Sequence, residues 1–146
     1  MVSVNKEATH KFVIVLNEKS PVGKLLSATG QLAMSLYHEA TEQQRSQMNF
    51  VPLQGPSGDS LISVSTCSFV VLKGTGGQLL TLYLKAKELG FLSAIFTSTM
   101  SYNGIEEDLI LKTATTPLSD VEPYGAALFG QIDAVHPLTK KFSVFK

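Results

Sequence analysis

The sequence predicts a three-layer α/β domain, and three observations carry that prediction. Short apolar runs rich in β-branched residues recur along the chain, each of the first three is followed by a segment with helical apolar spacing, and glycine or proline punctuates the joins. At 146 residues with 44% apolar content, the chain can bury a single core without disulfides or metal.

The elements follow in order. The polar, mixed-charge segment Met1 to His10 lacks the apolar stretch of a secretory signal and is expected to form a flexible tail, leaving 11–146 as one α/β domain. Phe12-Val13-Ile14-Val15-Leu16 has no polar interruption, the pattern of a strand covered on both faces. Asn17 to Pro21 leads out of it, with Ser20 as the expected N-cap and Pro21 at the first helical position. Leu25, Leu26, Thr29, Leu32, Ala33 and Leu36 then mark one face of a helix running to about Ala40, weakened modestly by Gly30. Thr41 to Asp59 is polar and carries Pro52, Gly55, Pro56 and Gly58, which are loop signals. Leu61 to Ser65 roughly alternates and Phe69 to Leu72 is apolar, so this region is one bent strand or two.

Gly74, Gly76 and Gly77 open a second helix, in which Leu79, Leu82, Tyr83, Ala86 and Leu89 keep helical spacing until Gly90. Phe91 to Phe96 is a third strand with a polar exit, Thr97 to Ser101. Ile105, Leu109, Ile110 and Ala114 suggest a third helix bounded by Pro117, and Tyr124 to Phe129 supplies the last main strand.

Twelve basic and twelve acidic residues cancel, so no global positive field draws the chain to nucleic acid. The single Cys67 has no partner for a disulfide or a zinc knuckle, which fits a reducing compartment, and a cytoplasmic location is expected. The strand-like apolar runs fall far short of the roughly 20 residues that span a bilayer, so no membrane partner is expected.

Three passages together resemble the uncharacterised DUF 2000 family, related to the peptidyl-tRNA hydrolase II fold. They are Lys11 to Leu16 with Gly23-Lys24 in the following helix, the helix Leu79 to Gly90, and Gly125-Ala126-Ala127-Leu128-Phe129-Gly130. The resemblance implies a mixed four-stranded sheet between helices. It also implies a lysine in the first helix that helps hold the tRNA end, and an aspartate after the third strand that assists hydrolysis. Lys24 matches the lysine, whereas the aspartate position falls on Ser98, in Thr97-Ser98-Thr99. A serine carries no negative charge at neutral pH and cannot serve as the carboxylate base.

The candidate ligand-binding residues are therefore Gly23, Lys24, Thr97, Ser98 and Thr99. Lys24 adds a charge to the free N–H groups of a helix start, a site suited to phosphate or carboxylate; its plain alternative is a solvated helix lysine. The hydroxyl cluster stands at a strand's C-terminal edge, where open α/β sheets bind ligands, and its plain alternative is strand-end capping. Gly74-Thr75-Gly76-Gly77 lacks the Gly-Lys-Ser/Thr of a phosphate loop and is read as a flexible turn. His10, His38 and His136 lack metal-pair spacing, Cys67 is read as a small strand residue, and Lys140-Lys141 as a solvated pair. No cofactor or metal is called for. The chain is expected to bind a small anionic ligand or a tRNA end; the rival readings are a hydrolase using another carboxylate, and an interaction module forming a homodimer.

Overall fold

The computed structural model describes residues 8–146. Residues 1–7 of the expected tail lie outside the described residues, and His10 already opens the first strand. The elements are β1 (His10–Asn17), α1 (Val22–Glu39), α2 (Glu42–Ser46), β2 (Phe50–Gln54), β3 (Ser60–Ser65), β4 (Ser68–Gly74), α3 (Gly76–Glu88), β5 (Leu92–Thr97), α4 (Glu106–Thr115), β6 (Pro123–Gln131), α5 (Ile132–Thr139) and β7 (Ser143–Val144).

The central sheet has the order β5-β6-β1-β4-β7. β1 runs parallel to β4 and antiparallel to β6, which is in turn antiparallel to β5. The mixed sheet thus has five strands rather than the expected four, because the two-residue β7 pairs with Leu72 and Lys73 on the β4 edge. The region from Leu61 to Leu72 resolves into two strands in different sheets: β3 pairs with β2 in a separate hairpin, and β4 joins the central sheet. Cys67 is buried in the short connection between them, not in a strand, with its Sγ 3.3 Å from the Gln47 carbonyl it bonds.

β1 explains why its run has no polar break. Phe12, Ile14 and Leu16 pack with Leu25, Ala28, Leu32 and Leu36 of α1, while Val13 and Val15 pack with Leu79, Leu82 and Ala86 of α3 and Val135 of α5. Helices therefore cover both faces, and the three layers follow from the two-residue period of a strand between them. Each of the fully buried leucines of α1 contributes about 1.5–3 kcal/mol of transfer free energy.

Two local expectations change and a third holds. Ser20 is not the N-cap of α1; Pro21 holds that position, and the Ser20 hydroxyl donates to Glu122 Oε1 at 2.9 Å. The glycine-rich turn is ordered by Thr75, whose hydroxyl accepts from the Gln78 N–H while the Gln78 side chain accepts from the Thr75 N–H. Gly90 does end the second helix, at φ +81°, the left-handed conformation that a helix stop favours.

Candidate functional site

The end of β1 and the start of α1 are held by one side chain. Asn17 is buried, its Nδ2 donates to the Pro123 carbonyl at 2.8 Å, and its Oδ1 accepts from the Lys19 N–H at 3.1 Å. These bonds tie the loop to the start of β6 and satisfy a polar group that burial would otherwise penalise. The N–H groups of Lys24 and Leu25 both turn back to the Pro21 carbonyl. Among the described residues, the N–H groups of Val22 and Gly23 have no such partner, as the first turn of a helix requires.

Beside this helix start lies a cleft of about 590 Å³, lined by Gly23, Lys24, Ser27 and Gln31 of α1, with Phe96 and Tyr102 across from them. Pro21, Met100 and Ser101 complete it. Its volume falls within the roughly 300–1,000 Å³ of small-molecule sites. Lys24, Ser27 and Gln31 follow the three- and four-residue spacing that places side chains on one helix face, so the sequence carried a signal for the α1 wall. Nothing in the sequence singled out Tyr102, which is 66% exposed in the loop after β5. The cleft thus offers a cation, two serine hydroxyls, a phenol and an aromatic ring.

Gly23 and Lys24 stand together in the lining, whereas Thr97, Ser98 and Thr99 are not among the lining residues. Thr97 and Thr99 are buried, and their hydroxyls lie 3.2 Å apart; the Thr99 hydroxyl is also 3.2 Å from that of Thr113 on α4. Ser98 pairs with Glu122 twice: its N–H donates to the Glu122 carbonyl at 2.9 Å, and its hydroxyl accepts from the Glu122 N–H at 3.0 Å. The Glu122 carboxylate in turn accepts from Ser20, the residue before Pro21. Glu122, which sequence reasoning passed over, therefore holds Ser98 through its backbone and, through its carboxylate, Ser20 beside the cleft-lining Pro21.

The profile of a family described as protein of unknown function (DUF2000) matches residues 10–146. The chain belongs to that family. Among solved structures, this DUF2000 protein is similar to the protein of unknown function Atu0240 of Agrobacterium tumefaciens strain C58. The TM-score is 0.78 at 16% identity, over 94% of this chain and 98% of that one, a likeness of fold alone. No curated protein matches it. Among the described residues no helix is long and apolar enough to cross a membrane.

The remaining candidates of the DUF2000 chain lie apart from the cleft. The His10 ring stacks on Phe129 at 5.3 Å, and His38 and His136 are exposed. Lys140 and Lys141 follow α5 on the face of the sheet opposite α1, with the Lys141 ammonium 5.4 Å from the Phe142 ring centre.

Proposed function

We propose that this DUF2000 protein binds a small anionic ligand in the cleft at the start of α1 and lacks the aspartate-dependent hydrolysis of the peptidyl-tRNA hydrolase II enzymes it resembles in sequence. The observation that carries this reading is the convergence of Lys24 with the N-terminal turn of α1 in one cleft. A helix start favours negative charge, and the ammonium supplies a counter-charge that flexes on its stem to reach it. Ser27, Ser101 and Tyr102 add hydroxyl donors, and Phe96 an apolar wall. Ser98, at the position where the resemblance to peptidyl-tRNA hydrolase II enzymes implies an aspartate, has its hydroxyl engaged by a backbone N–H and brings no charge.

The test is thermal unfolding of the wild type and Lys24→Ala with inorganic phosphate, pyrophosphate, citrate and adenosine monophosphate. At least one should raise the wild-type melting temperature, and Lys24→Ala should lose that rise. A rise with none of them, or an equal rise in the variant, contradicts the proposal.

Glu122 favours one second reading, a hydrolase using a different carboxylate. Its side chain bonds Ser20 at the cleft edge while its backbone bonds Ser98, so a base in this quarter of the molecule would be Glu122. Peptidyl-tRNA incubated with the protein should stay intact under the first reading. Peptide release that Glu122→Gln abolishes would establish the second.

A further inference from the structure

The cleft beside α1 has two walls of different chemistry. Lys24, Ser27 and Gln31 make the α1 wall polar, and across from them Phe96, Met100 and Tyr102 supply two aromatic rings and a thioether. Among the described residues no carboxylate lines the cleft and Lys24 makes no ion pair, so the charge of the cleft is that of one ammonium.

Size decides against a bare inorganic anion. Lys24 and Gln31 stand two turns apart on one helix, so the polar wall runs about 10 Å. A water takes about 30 Å³ of the liquid, and an anion of a few atoms at Lys24 leaves most of the 590 Å³ beside Phe96, Met100 and Tyr102 to water. Wet apolar groups contribute nothing to binding, whereas covering them removes their surface from water. The two rings are held differently. Phe96 is half-buried in β5, and its ring packs on that of the buried Tyr124 with centres 6.3 Å apart, which fixes it as a wall. Tyr102 is exposed on the loop after β5, and an exposed side chain changes rotamer within nanoseconds, so it can turn over an occupant.

We infer that the ligand of this cleft joins its anionic group to a planar aromatic body, with the anion at Lys24 and the ring between Phe96 and Tyr102. The inference rests on the anion site proposed for Lys24 and adds the class of molecule. Ring pairs gain from offset-stacked and edge contacts beyond the area they bury, and a saturated body of equal size gains the area alone. Met100, unbranched and polarizable, adapts to a ring edge. Phosphate and carboxylate satisfy the ammonium alike, because a lysine acts as a point charge rather than a planar fork.

Isothermal titration calorimetry with two matched pairs, phenyl phosphate against methyl phosphate and indole-3-acetate against acetate, separates the ring from the anion and the phosphate from the carboxylate. In at least one pair the aromatic member should bind the wild type about tenfold tighter or more. Lys24→Ala should weaken both members of that pair. Tyr102→Ala should bring their ratio close to one, while Tyr102→Phe should keep it, because the ring and not the hydroxyl makes the difference. Tyr102 is exposed, so neither substitution disturbs the core. Equal affinity within both pairs, or a ratio that survives Tyr102→Ala, overturns the inference and leaves the anion site standing as long as binding depends on Lys24. Binding of none of the four overturns both.

Discussion

Lys24 sits in the first turn of α1, where the helix dipole disfavours a cation by about 0.3–1 kcal/mol at an exposed site. Among the described residues it makes no ion pair that would offset this, so an anion in the cleft would stabilise both the ammonium and the helix start. Its placement was legible in the sequence because a strand, a proline and a lysine fall in that order. The hydroxyl triplet was not, because alternation along an extended chain does not tell which side chain meets a buried neighbour. Thr99 links Thr97 on one side to Thr113 on the other, and Thr113 is the polar anchor of a helix that has no buried residue. Thr99→Val should therefore cost about 1–3 kcal/mol in denaturant unfolding by leaving the buried Thr97 hydroxyl without its partner and Thr113 with only its bond to the residue-99 carbonyl. It should loosen the amides of α4 to exchange and leave anion binding unchanged.

At the scale of elements, β6 shows why a glycine and alanine run can be a central strand. A side chain on Gly125 would come within 2.8 Å of Leu32 Cδ1 and 3.0 Å of Leu16 Cδ2, and one on Gly130 within 2.7 Å of the Phe91 ring. The small residues let α1 approach the sheet. Gly125→Ala should destabilise the fold by about 1–3 kcal/mol, read as a lower denaturant midpoint, since Leu32 and Leu16 are both buried and have little room to move. Long, periodic α1 and α3 were legible from their apolar spacing. β3 was legible from the alternation of Leu61 to Ser65, but its partner β2 was hidden because Pro52 reads as a loop signal, yet it pairs with Ser63 in an exposed strand that tolerates a missing N–H. α5 was hidden by its eight-residue length and its internal Pro137, and β7 by having two residues.

At the scale of the molecule, one helix covers one face of a five-stranded sheet. A helix is about 10 Å wide and strands lie about 4.8 Å apart, so α1 shields roughly two strands and leaves a flank open on each side. It packs chiefly over β5 and β6. One flank becomes the polar cleft between Lys24 and Tyr102, the other the apolar hollow toward β4 and the hairpin. Sequence periodicity could indicate layers but not this arrangement, because the insertion of β6 between β1 and β5 is a pairing between residues more than a hundred positions apart. The most direct test of the binding claim is a titration of isotopically labelled protein with pyrophosphate, followed by amide NMR. The account predicts shifts centred on Val22, Gly23, Lys24, Ser27, Ser101 and Tyr102 that vanish in Lys24→Ala; shifts that persist in the variant, fall elsewhere or do not occur would contradict it.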